Sequence, residues 1–365
     1  MKHAWLIVLL LLIAGCGDRV RPSAPLPEPA QGAAEEPIAP APDTTNERES
    51  PQQDPRPDPV PTGEGDSFQA EKKRKDFPDG FSRELKVLYL EQRFRWQARA
   101  LSDALKRDSG LRYQGFIFDA QDGWTQPTST WSDEVKREVR PLHWPFFANG
   151  EVVREKQDFL DIGYDVIFLG DVDPASPFWR TEYWDWLDAF VDQGGGLILM
   201  AGQNHNPVSH SNNEFARGLY PVSLDLPEDY AFRVNRRLVK YWGLKSEARE
   251  HELFHLSDDD GRNAELWGSE TDGEFVPGEL HGLYWYAVTG GAAEGATVLA
   301  RVAREGDAID DGEVLVASKA HGEGRVLWVG SDDTWLWRQW VGDSYFYKFW
   351  QNAIRWAADD PGKQD

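Results

Sequence analysis

DQGGGLILMAGQNHNP, residues 192–207, is the stretch on which the fold turns. Three glycines in a row stop any helix before them. The apolar run 197–201 is too short for a helix and suits a strand buried on both faces, and a polar turn follows at once. Outward from this point the same alternation recurs. Residues 184–191 read as the helix that the glycines end, and DVIFLG (165–170) as a second, almost wholly apolar strand. LKVLYLE (85–91) opens the domain as a strand. The segment 96–106 then places Trp96, Ala100, Leu101 and Leu105 on one helical face. Further strands are expected at 113–118, 313–317 and 325–330. A closing helix is expected at 345–358, with Phe346, Phe349, Trp350, Ile354 and Trp356 as its apolar positions. Strands alternating with helices predict an α/β domain of three layers, a mostly parallel sheet with helices on both faces. Residues 224–304 show no such period and read as an irregular insertion.

Four segments in this order carry a family resemblance: KVLYLEQRFRWQARAL (86–101), DVIFLGDVDP (165–174), the opening stretch 192–207, and GEGRVLWVGSDDTWLWRQWVGDSYFYKFW (322–350). Together they resemble the glutamine amidotransferase-like domain of bacterial envelope proteins. The resemblance implies the class I glutamine amidotransferase fold, a flavodoxin-like sheet, over nearly all of 85–358. An active member carries a cysteine on a sharp turn after a strand, with a histidine as base. The corresponding turn here is Met200-Ala201-Gly202-Gln203-Asn204-His205, in which Ala201 and Gly202 stand where the nucleophile would be. The resemblance therefore implies a domain without glutaminase chemistry, acting in binding or scaffolding with no catalytic residue and no cofactor. Related domains of the fold include a trehalose-utilisation type, so a sugar-linked role follows by analogy.

In an open parallel sheet, ligands sit beyond the carboxyl ends of the strands. Those ends carry Glu91 and Arg93, then Asp171 and Asp173, then Gln203, Asn204 and His205, and finally Asp332 and Asp333. The set suits a pocket for a sugar, a polyol or another small polar ligand. It equally suits carboxylates and amides that cap helices and satisfy turn backbone. The alternative to a binding domain is a hydrolase that uses these carboxylates and His205, with or without a metal, on a carbohydrate or amide substrate. Sixteen tryptophans lie beyond residue 15, four of them Trp328, Trp335, Trp337 and Trp340. Such residues serve cores, partner interfaces or sugar stacking.

His251-Glu252-Leu253-Phe254-His255 spells the zinc-protease motif. Arg249 and Glu250 just before it, and the helix-ending Ser257-Asp258-Asp259-Asp260-Gly261 just after, argue against the buried helix that motif needs. Leu256 stands where a calcium loop needs its first ligand. Gly194–Gly196 precede their strand, whereas a phosphate-cradling loop follows one. No metal is expected.

At the N-terminus, Lys2 and His3 precede an apolar core, 6–13, too short to span a bilayer, followed by Ile13-Ala14-Gly15-Cys16. These residues read as a lipoprotein signal peptide (1–15) with lipidation of Cys16, the chain's one cysteine, which leaves no disulfide and no thiol nucleophile. Residues 16–65 hold twelve of the 23 prolines and read as a disordered tether, on the order of 100–150 Å long if fully extended. The basic run Lys72 to Lys75 reads as a solvated helical turn, and 66–365 as the folded domain. The expected setting is the bacterial cell envelope, on the exported side of a membrane, with an envelope protein as partner. Gly17, where some bacteria use aspartate for inner-membrane retention, points to the outer membrane. Removing residues 1–15 removes one cation, Lys2, and takes the formal charge from −23 to −24. A chain so acidic is expected to avoid nucleic acid.

Overall fold

The computed structural model describes residues 83–118, 153–226 and 240–360. The signal peptide, Cys16, the tether and the basic run at 72–75 lie outside these residues.

The chain enters through β1 (Leu85–Glu91), α1 (Trp96–Arg107) and β2 (Leu111–Ile117). After α2 (Lys156–Asp161) come β3 (Val166–Leu169), α3 (Tyr183–Asp192), β4 (Gly196–Met200) and α4 (Glu214–Leu219). The next part holds β5 (Tyr241–Gly243), α5 (Ser246–Arg249), α6 (Asp260–Trp267), the small hairpin β6 (Ser269–Thr271) and β7 (Glu274–Val276), and β8 (Thr297–Ala303). The chain closes with β9 (Val314–His321), β10 (Gly324–Val329), α7 (Trp337–Trp340) and α8 (Asp343–Ala357).

Eight strands form one open sheet in the order β2-β1-β3-β4-β10-β9-β8-β5. The first five run parallel. The last three pair antiparallel, and β9 and β10 form a hairpin, a direction the strand–helix alternation leaves open. The fold is therefore mixed α/β with a large, mostly parallel sheet.

Side-chain alternation gives the sheet its two faces. Leu85, Val87 and Tyr89 of β1 pack on one side with α1 and α8, where Phe346, Phe349, Trp350, Ala353, Ile354 and Ala357 recur at helical spacing. Leu88 and Leu90 face the other side, against Tyr183, Trp184, Leu187 and Phe190 of α3. Each such side chain contributes about 1.5–3 kcal/mol on burial. Both layers expected from the helical periods are present. Gly194 ends α3 at φ 103°, a left-handed backbone that a side chain would strain.

The segment expected to be an irregular insertion is ordered wherever it is described. It supplies β5 and β8 to the sheet edge, and Trp242 and Trp267 pack edge-on against Trp337 over α8. Register shifts near Val298 and Ala300 break the period-two pattern of β8, which is why no strand is legible there.

Candidate functional site

The carboxyl ends of β1, β3, β4 and β10 meet at one edge, and the predicted polar residues come together there. Glu91 ends β1 and is fully buried. Its carboxylate accepts from the Tyr89 hydroxyl at 2.8 Å, from the backbone N–H of Gln92 and of Asp171 at 3.0 Å each, and from Arg95 Nη2 at 2.6 Å. Burial pushes the Glu91 carboxyl up, against the pull of Arg95.

Arg95 is the hub. Its Nη1 donates to Asp332 Oδ2 at 2.7 Å and to the Ala201 carbonyl at 3.1 Å, so one guanidinium ties the ends of β1, β4 and β10 together. Burial works against its charge, and Glu91 and Asp332 more than offset that. Arg93, the cation expected at this place, is exposed. Arg95 sits in extended backbone just before α1, and its ion pair to Glu91 forms across the bend that joins β1 to that helix.

Asp171 organises the turn after β4. It accepts from the backbone N–H of Asn204, His205 and Asn206 at 3.1, 2.7 and 2.9 Å, and from Asn204 Nδ2 at 2.9 Å. Burial opposes its charge, but Arg95 and these donors hold its carboxyl below the usual range. Gly202 fits under it closely: a Cβ there would stand 2.0 Å from Asp171 Cγ. Packing against the carboxylate thus requires glycine at the position where the sequence comparison sought a nucleophile. Asn206, not singled out from the sequence, donates through Nδ2 to the carbonyls of Gly170 and Met200 at 3.0 and 2.9 Å and accepts from the Tyr220 hydroxyl at 2.6 Å.

The other predicted residues have more local duties. Asp173 accepts from the backbone of Ala175 at 2.9 Å and lies 3.7 Å from His205 Nδ1, while Gln203 is exposed. Asp333 Oδ2 accepts from the N–H groups of Tyr284 and Trp285 at 2.8 and 2.9 Å. Burial and the neighbouring Asp332 push its carboxyl up. Asp332 Oδ1 is buried and has no protein partner. Most of the polar set therefore satisfies turn backbone.

Open space lies beside the hub, along α1. A cavity of about 480 Å³ is lined by Phe94, Arg95, Trp96, Arg99, Ser102, Asp103 and Lys106. Phe94 and Trp96 are 55% and 65% exposed, and Trp96 stacks on Trp335 at 5.7 Å and 27°. A second exposed group lies along the same C-terminal segment: Trp340, 66% exposed, over His281 at 4.8 Å, with Tyr284 at 5.3 Å from that imidazole. Of the four clustered tryptophans, Trp328 and Trp337 are core, Trp335 is half-buried against the core, and Trp340 is exposed. Sequence reasoning missed this cavity because nothing in the α1 period distinguishes an exposed aromatic from a core one.

The zinc-like motif is a three-residue 3₁₀ turn, Glu252–Phe254, that begins where His251 Nδ1 accepts from the N–H of Leu253. No α-helical turn sets His251 and His255 on one face. Among the described residues no group of three or more His, Cys, Asp or Glu is placed to hold a metal.

No family model matches the chain. No curated protein matches it either. Similar solved structures include a cytoplasmic protein from Salmonella typhimurium LT2, 15% identical, TM-score 0.44, the match covering 75% of this chain and 99% of that one. They also include the exo-β-1,4-mannosidase of Opitutaceae bacterium strain TAV5, 11% identical, TM-score 0.36, covering 78% of this chain and 36% of that enzyme. A cold-adapted β-galactosidase from Rahnella sp. R3 is 13% identical, TM-score 0.34, over 75% of this chain and 32% of that enzyme. The amidotransferase resemblance does not stand: no family model supports it, and these structures are named otherwise. None of these three TM-scores reaches 0.5, and the functional reading rests on the residues of the site.

Proposed function

We propose that this domain engages a carbohydrate at the cavity along α1. The observation that carries this reading is the pairing of exposed Phe94 and Trp96 with Arg95, Arg99, Ser102 and Asp103 around a space of about 480 Å³. A pyranose has apolar C–H faces and a polar edge. Aromatic faces accept the first, and a guanidinium, carboxylate or hydroxyl accepts the second. The rigid hub at Arg95 holds the polar side in place without being consumed by the ligand. The strand order of the parallel half, 2-1-3-4-5 when β10 is counted fifth, supports a flavodoxin-like sheet, whose ligands lie beyond the carboxyl ends of the strands.

Isothermal titration against a panel of oligosaccharides tests the reading. Binding is expected for at least one member, and Trp96→Ala should weaken it about tenfold, from the loss of one stacking face. Both aromatic side chains are exposed, so the variant should keep its fold and its unfolding midpoint. Absence of any heat of binding across the panel overturns the proposal.

A second reading, hydrolysis, is favoured by Asp332 and Asp333. Arg95 pairs with Asp332, and burial together with that neighbouring carboxylate pushes Asp333 up, the direction a general acid requires. Release of new reducing ends during the same titrations, abolished by Asp333→Asn, supports this second reading; intact ligand excludes it.

The domain is further proposed to act from a membrane surface of the cell envelope, through lipid on Cys16. The run 6–13 and the small residues before Cys16 support this. Among the described residues no helix is long and apolar enough to cross a membrane. Fatty-acid labelling of the full chain should be lost in Cys16→Ser; labelling that persists refutes the anchor.

A further inference from the structure

We infer that the saccharide taken up by this cavity is acidic, its carboxylate received by Arg99. The inference rests on the carbohydrate reading and adds the charge of the ligand. The chain as a whole carries 62 acidic and 39 basic residues, yet among the described residues the cavity lining reverses that balance, with Arg95, Arg99 and Lys106 against one carboxylate, Asp103.

The three cations differ in availability. Arg95 is committed to Glu91 and Asp332. Arg99 stands one helical turn further along α1 and is exposed; among the described residues its guanidinium has no ion pair and no hydrogen-bond partner. Asp103, the next turn on, forms no ion pair with it. An unengaged guanidinium in a cavity wall presents a planar fork that matches a carboxylate through two parallel N–H donors. Lys106 adds a second positive charge to the same wall. The net charge of −23 opposes an anion at long range. At physiological ionic strength that repulsion is screened beyond about 8 Å, so the local wall decides. Asp103 then suits the sugar hydroxyls, and Phe94 and Trp96 the ring face.

The full chain is titrated with an oligouronide and with the same oligomer methyl-esterified, which removes charge and leaves the ring unchanged. The free acid is expected to bind about tenfold or more tightly than the ester, in line with a hydrogen bond to a charged group. Arg99→Gln should bring the two within about threefold of each other, chiefly by weakening the acid, which loses an ionic partner that the ester never had. Since Arg99 is exposed and unpaired, the variant should fold normally, checked by its unfolding midpoint. Equal binding of acid and ester overturns the acidic ligand while the carbohydrate reading stands. Preference for a sulfated or phosphorylated oligosaccharide over the uronide overturns the carboxylate assignment alone. Failure of every saccharide to bind removes both.

Discussion

Arg95→Ala is expected to destabilise the domain by about 3–5 kcal/mol, the range found when one partner of a buried ion pair is removed. Among the described residues the guanidinium is the one cation bonded to both Glu91, which is fully buried, and Asp332, which is nearly so. Without it each carboxylate must either protonate or stay charged with its ionic partner gone. Set against a typical stability of 5–15 kcal/mol, that loss consumes much of the margin. Lysine is a poor substitute, because one ammonium cannot reach Glu91, Asp332 and the Ala201 carbonyl with the geometry of a planar fork. Denaturant unfolding of wild type, Arg95→Ala and the double variant with Glu91→Gln measures the effect. The double variant should regain part of the loss, since it removes one of the stranded charges. A single-variant loss below about 1 kcal/mol would mean that the hub is not what holds the strand ends together.

Acid should weaken the fold through His210. His210 is buried, and both ring nitrogens are engaged: Trp184 Nε1 donates to Nδ1 at 3.2 Å, and Nε2 lies 3.0 Å from the Val172 carbonyl. This arrangement demands the neutral ring with its proton on Nε2. A second proton on Nδ1 would face the indole N–H, donor against donor. Burial accordingly lowers the imidazole from 6.5 to about 4. The unfolded chain therefore binds the proton more readily than the folded one, and stability rises with pH. The contribution, roughly 3 kcal/mol, is fully present above about pH 6.5 and is lost as pH falls through about 4. His251, lowered by burial and by His255, acts in the same direction. Urea midpoints from pH 7 to pH 4 should fall in the wild type and fall much less in His210→Gln. Parallel pH profiles for the two proteins would show that His210 is not the group responsible.

His210 also illustrates what a sequence hides. It sits in a polar stretch, Asn204 to Asn213, with no apolar period to announce burial. The turn is carried into the core by Asp171, whose carboxylate gathers three consecutive backbone N–H groups, and by Asn206, which bonds two strand ends. These are long-range contacts, and no local spacing encodes them. The strand-end carboxylates raise the same difficulty. Glu91, Asp171, Asp332 and Asp333 were correctly placed at one edge, but whether each meets a ligand or a backbone N–H depends on how the following turn wraps.

Within the described residues, the amino-acid sequence determined on its own the five parallel strands, the helices on both faces and the edge at which polar residues gather. Those features follow from short-range periodicity, in which each residue's neighbours two or four positions away reveal its burial. Only the tertiary structure decided that β5, β8 and β9 run antiparallel, that Arg95 and not Arg93 is the hub, and that Trp96 faces outward while Trp337 does not. Each of those outcomes depends on a partner distant in the chain: β9 for β8, Asp332 for Arg95, Trp242 for Trp337. A pattern of local hydrophobicity carries no record of which distant surface a side chain will meet.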